Sequence, residues 1–199
     1  MDASIAREKK MPNWCSNTAK IAHKDKDTVI EAAKAIREGR WLEWVQPLPE
    51  DIANSEDGEV RYHWRIDNWG TKWDIDGAGL LDSSGHYLDH ECDIEECVYK
   101  VGEDWVAHFT FDTAWSPPVE TYQHLSNNGW HVIAFYDEGG VAFCGRYSTD
   151  DGDFCVDYPD TDNKEEVEEW IKSLPADLEE QYGLADRMRD PWWPEEVMA

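Results

Sequence analysis

Asp67-Asn68-Trp69-Gly70-Thr71-Lys72-Trp73-Asp74-Ile75-Asp76 is the stretch on which the reading of the fold turns. In an extended chain successive side chains point to opposite faces. Trp69, Thr71, Trp73 and Ile75 then fall on one side, and Asn68, Gly70, Lys72 and Asp74 on the other. Residues 105–112 alternate in the same way, Trp105, Ala107, Phe109 and Phe111 against Val106, His108, Thr110 and Asp112. The pattern predicts two neighbouring strands, 62–76 and 105–112, sharing an aromatic face and a polar face that carries Lys, Asp and His.

Outward from this pair the chain reads as a succession of strands and helices. Residues 13–23 alternate weakly through Cys15, Ala19 and Ile21. Asp27 or Thr28 then caps a helix whose stripe is Val29, Ala32, Ala33 and Ile36, with Gly39 as its stop. Residues 41–45 are expected to enter Pro47 and Pro49 as a short extended segment or irregular connection, 50–59 to form an acidic loop, and Asp76-Gly77-Ala78-Gly79 to break the strand 62–76. Pro117-Pro118 opens a helix through Val119, Tyr122 and Leu125, and residues 131–136 and 141–147 form a hairpin about Asp137-Glu138-Gly139-Gly140. Residues 152–159 read as a polar, acidic stretch. Asn163 caps a helix with Val167, Trp170, Ile171 and Leu174 on one side.

The order strand, helix, strand, strand, helix, strand predicts an α+β fold: a ferredoxin-like split βαβ antiparallel sheet with two helices on one face, plus an added hairpin strand and C-terminal helices. Residues 1–10 are expected to be a flexible lead, 11–160 the ferredoxin-like domain with acidic insertions, and 161–199 an acidic helical C-terminal extension.

With 12 Trp, 8 Tyr and 5 Phe, the 199-residue chain has the apolar area for one core despite a net charge of −26. The charge is lopsided: residues 1–88 hold 12 Lys/Arg and 16 Asp/Glu, residues 89–199 hold 6 and 28. A field of that sign repels nucleic acid and anionic membranes and attracts basic surfaces, so the expected partner is a basic protein. Five cysteines without a CxxC pair, and no long apolar run, point to a reduced, cytoplasmic setting. Cys92 and Cys97 with His86 and His90 depart from zinc-ligand spacing, and Asp150 to Asp153 from a calcium loop, so no metal and no cofactor is expected.

Four segments carry a resemblance. Met11-Pro12-Asn13-Trp14-Cys15-Ser16-Asn17, Asn68-Trp69-Gly70-Thr71-Lys72-Trp73-Asp74, Phe111-Asp112-Thr113-Ala114-Trp115-Ser116-Pro117-Pro118 and Tyr136-Asp137-Glu138-Gly139-Gly140 together resemble the YubB-type family of phage and plasmid proteins, over residues 11–147. The resemblance implies a ferredoxin-like domain and a mobile-element origin in a bacterial host. It supplies no activity, cofactor or catalytic residue.

Two groups of residues are candidates for function. On the polar face of the proposed strands, Asn68, Lys72, Asp74, His108 and Asp112, joined by Glu138 and Arg146, suit a small polar ligand, with His108 as a proton carrier. The plainer alternative is an exposed sheet face with cross-strand charge pairs. With neither a nucleophile–base pair nor a phosphate loop, no catalytic residue is assigned and an enzyme is disfavoured. Trp69, Trp73, Phe109 and Phe111 are expected in the core rather than as a platform for bases, because basic neighbours are missing.

The second group is Asp150, Asp151, Asp153, Asp157, Asp160, Asp162, Glu165, Glu166, Glu168 and Glu169, a run that can imitate the phosphate array of DNA. The leading expectation is a mobile-element acidic protein that engages a basic, nucleic-acid-handling host protein as a DNA mimic or anti-defence inhibitor. The alternatives are a small-molecule or nucleotide-handling protein using the polar sheet face, and an assembly protein docking through Trp192 and Trp193.

Overall fold

The computed structural model describes residues 13–161 and 163–189. Among them, seven strands form one antiparallel sheet: β1 (Trp14–His23), β2 (Asp76–Leu81), β3 (Val98–Val101), β4 (Asp104–Ala114), β5 (His131–Glu138), β6 (Phe143–Ser148) and β7 (Gly152–Asp157). The spatial order is β2-β4-β1-β5-β6-β7. β3 lies on the same side of β4 as β2, pairing with its first residues while β2 pairs with its last. The helices are α1 (Lys26–Arg37), α2 (Trp41–Val45), α3 (Glu50–Ala53), α4 (Gly58–Trp69), α5 (Val119–Asn127), α6 (Lys164–Ser173), α7 (Ala176–Tyr182) and α8 (Leu184–Arg189).

Alternation along the central strands sorts the residues into two layers. Ala19 lies between Phe109 and Ala134, and Ile21 between Ala107 and Val132, on a face packed against Val29, Ala33 and Ile36 of α1, Trp41 and Leu42 of α2, and Tyr122 and Leu125 of α5. The Trp41 ring anchors this layer, its centroid 5.0 Å from Phe109 and 5.6 Å from Phe111. On the opposite face, Phe135, Cys144, Phe154 and Val156 of β5–β7 meet Trp170 and Leu174 of α6, Leu178 and Tyr182 of α7, and Leu184 of α8. Helices therefore cover both faces, the C-terminal ones only over β5–β7. The rest of the second face, over β1 and β4, stays open.

Several elements differ from the sequence reading. Residues 62–76 are not a strand: α4 runs to Trp69, and 70–75 form a connecting loop. Asp57 caps α4 by accepting from Glu59 N, and Gly70, at φ 82°, ends it in the left-handed conformation. Residues 41–45 are helical rather than extended or irregular, because Asp74 accepts from Leu42 N and Glu43 N at 2.9 Å each and satisfies the first turn of α2. The predicted break at 76–79 is strand β2. Gly77, at φ 59°, sits in its bulge, and Gly79 leaves room for the Tyr87 ring, 2.7 Å from where a Cβ would stand. The acidic stretch 152–159 contains edge strand β7, whose exposed Asp153 and Asp157 face away from Phe154 and Val156. No helix of the described residues is long and apolar enough to cross a membrane.

Candidate functional site

The first candidate set is not assembled as the sequence suggested. Asn68 closes the last turn of α4, donating Nδ2 to Trp64 O at 2.8 Å. Lys72 is in the following loop, its ammonium 4.4 Å from the Trp73 ring centroid. Asp74 is a structural acceptor for α2 and for Ile75 N, and burial raises its carboxyl above the usual value in spite of these three amides. Only His108 and Asp112 share the open sheet face, where Asp112 accepts from Ser16 Oγ at 2.9 Å. Glu138 faces the other way and holds Gly140 N and Val141 N in the β5–β6 turn. Arg146 lies beneath α7, paired with Asp177 and Asp151 at 3.0 Å each. Trp69, Phe109 and Phe111 are buried, as core residues should be, but Trp73, expected with them, is only half-buried, its ring centroid 6.4 Å from that of Trp14.

Around His108, however, the open face forms a hollow of about 370 Å³. Its floor is Thr18 and Lys20 of β1 opposite Thr110 and His108 of β4. One wall is the turn after β2, with Ser83, Ser84, Gly85 and Tyr87; Gln181 of α7 stands at another edge. Asp82 shapes the turn by accepting from Ser84 N at 2.8 Å and His86 N at 3.0 Å. The same residue's carbonyl lies 3.3 Å from His108 Nδ1. A carbonyl only accepts, so the neutral ring carries its proton on Nδ1 and offers the Nε2 lone pair. His108 is 6% exposed, and burial first, then the charge of Lys20, hold its pKa below the usual value. Among the described residues no carboxylate oxygen lies within 4.0 Å of Lys20 Nζ.

The acidic run divides by what each carboxylate touches. Asp150 meets His131, Asp151 pairs with Arg146, Asp153 accepts from Tyr136 Oη at 2.8 Å, and Glu168 receives two bonds from Arg189. The Asp151 and Asp153 contacts hold the β6–β7 hairpin, the Glu168 pair joins α6 to α8, and the Asp150 contact is solvated. Glu166 accepts from Asn163 Nδ2 in the cap of α6. Asp157, Asp160, Glu165, Glu166 and Glu169 are exposed and have no cationic partner within 4.0 Å among the described residues. Asp162, Trp192 and Trp193 lie outside the described residues.

The cysteines noted in the sequence sit elsewhere. Cys92 and Cys97 both receive a bond from Arg37 Nη2, at 3.2 and 3.0 Å. Among the described residues no group of three or more His, Cys, Asp or Glu is placed to hold a metal ion.

Lys20, Tyr87 and the 83–85 turn are site residues that sequence reasoning missed. Lys20 is legible as an outward position of β1, but its pairing with His108 depends on a register no local pattern gives. Comparison with family models, curated proteins and solved structures finds no match to the chain.

Proposed function

We propose that the chain is a non-enzymatic binding protein of a mobile element that presents its acidic C-terminal face to a basic, nucleic-acid-handling host protein in the cytoplasm, as a DNA mimic or anti-defence inhibitor. The carrying observation is the set of exposed carboxylates Asp157 at the end of β7, Asp160 in the following loop, and Glu165, Glu166 and Glu169 on α6, which have no cationic partner among the described residues. Glu165 and Glu166 also suit the first turn of α6, where the helix dipole favours anions, but none of the five neutralises a cation among the described residues. An array of like charges held on packed elements repels itself, and a cationic surface relieves that repulsion.

The scaffold reading that goes with it is a ferredoxin-like core formed by β5-β1-β4-β2, with β3, β6 and β7 as additions. It is supported by the way each helical connection skips a strand: β4 lies between β1 and β2, and β1 between β4 and β5.

The test is affinity capture from a bacterial lysate. The full chain should retain a basic protein at about 0.1 M salt, where the Debye length is about 10 Å, and release it near 1 M, where it is about 3 Å. A Glu165→Gln, Glu166→Gln, Glu169→Gln variant should lose the capture. Glu168 is left intact because it ties α6 to Arg189. Equal recovery by both proteins at both salt concentrations overturns the proposal.

A further inference from the structure

We propose that the hollow on the open sheet face binds a small ligand made of a planar ring and one anionic group, of the nucleoside monophosphate type, with the anion at Lys20 and the ring on Tyr87. The inference is independent of the acidic-face reading, since it uses other residues on another surface.

Three features converge on that ligand. Lys20 has no carboxylate partner among the described residues, in a chain of net charge −26. Its cross-strand neighbour His108 is nearly buried, yet Nε2 makes no hydrogen bond among the described residues and is left to accept from a ligand N–H or O–H. The hydroxyls of Thr18, Ser83 and Ser84 line the same space and likewise lack partners there. Of these groups only His108 is buried, and a buried ring nitrogen is seldom left idle.

Tyr87 supplies the ring contact. It is 71% exposed, far more than a packing aromatic, but it is not free to swing. One part of its ring lies over Gly79, and its hydroxyl is fixed to Thr110 Oγ1 at 3.1 Å. The exposed remainder is a positioned stacking surface at the rim of the hollow. Gly79 pairs with Thr110, and Thr110 with Thr18, so Tyr87 and Lys20 stand over strands two apart. The two strand axes are about 10 Å apart and the Tyr87 hydroxyl reaches over the strand between them, so a ring and an anion joined through a sugar-sized linker suit the gap. The negative field of the whole chain limits the ligand's charge, because every further phosphate adds repulsion.

Isothermal titration calorimetry on the full chain tests this with adenosine 5′-monophosphate, adenosine, inorganic phosphate and adenosine 5′-triphosphate as probes. The monophosphate should bind saturably, with Kd between about 10 μM and 1 mM, and more tightly than the other three. Lys20→Gln should weaken it about tenfold or more, and Tyr87→Ala about tenfold. Both side chains are exposed, so unchanged melting curves verify that the variants are folded. Absence of saturable binding up to about 10 mM monophosphate, or affinity within about twofold of wild type in folded Lys20→Gln, overturns the proposal. Tighter binding of the triphosphate overturns the single-anion assignment.

Discussion

Thr71 donates from Oγ1 to the backbone carbonyl of Ala114 at 2.9 Å, and Ser116 Oγ answers across the same junction with a bond to Gly70 O at 2.6 Å. The loop after α4 and the turn after β4 are thereby fastened to each other in both directions. Thr71 is fully buried, so its loss cannot be made good by water. Thr71→Val keeps the shape, removes the donor and leaves the Ala114 carbonyl short of a partner. Denaturant unfolding followed by tryptophan fluorescence should show a loss of about 1–3 kcal/mol. A change within about 0.5 kcal/mol would show that the junction is solvated or dispensable.

Gly70 is needed at that junction for two reasons, and Gly102 separates them. Both have positive φ, 82° and 61°, but a Cβ on Gly70 would stand 3.1 Å from Val119 N and 3.2 Å from Pro117 O, while one on Gly102 meets nothing within 4 Å. Gly102→Ala should therefore cost only the left-handed conformation, about 1–2 kcal/mol. Gly70→Ala should cost clearly more in the same unfolding experiment, because the α5 backbone must also move. Equal losses would remove the steric part of the argument.

The two stretches on which the fold reading turned do belong together, though not as paired strands. Trp69, Thr71, Trp73 and Ile75 imitate a strand's alternation, but Asp57 as a cap, Gly70 as a stop and the spacing of Arg61, Trp64, Arg65 and Asn68 specify a helix, and the cap and stop decide. The period of β1, β4, β5 and α1 was legible because each has one dry face. β2 was not, since a bulge and two glycines erase its alternation. For the site, His108 could be picked out as a residue type on an outward strand position. Its partners Lys20 and Tyr87 are set by cross-strand register and by a turn, and neither leaves a local trace.

His108 should give the fold a measurable dependence on acid. Its pKa is held below the usual value of 6.5 by burial and by Lys20, against the opposing influence of Asp82. The unfolded chain then takes up a proton that the folded chain refuses. This contribution to stability is fully present above 6.5 and is lost as pH falls from there towards the lower folded pKa. The wild-type melting temperature should drop more between about pH 7.5 and 5.5 than that of His108→Gln. Parallel curves for the two proteins would place the acid sensitivity elsewhere.

Arg187 ties α8 to the sheet, whereas Arg189 ties it only to α6. Arg187 Nη1 lies 2.6 Å from Asp137 Oδ2, and Tyr158 Oη donates to the other oxygen of the same carboxylate at 2.8 Å. The Asp137 side chain is 16% exposed, whereas Glu168, the partner of Arg189, is 41% exposed. Removing Arg187 leaves a largely dry carboxylate without its cation, which costs more than the pair itself contributes. Arg187→Met should destabilise the chain by about 2 kcal/mol, short of the full cost for a wholly buried pair, and speed amide exchange across α7 and α8. Arg189→Met, which breaks a solvated pair, should melt near the wild type. If the two variants melt alike, the grip of α7 and α8 comes from Leu178 and Leu184 in the apolar layer and the buried ion pair adds nothing to it.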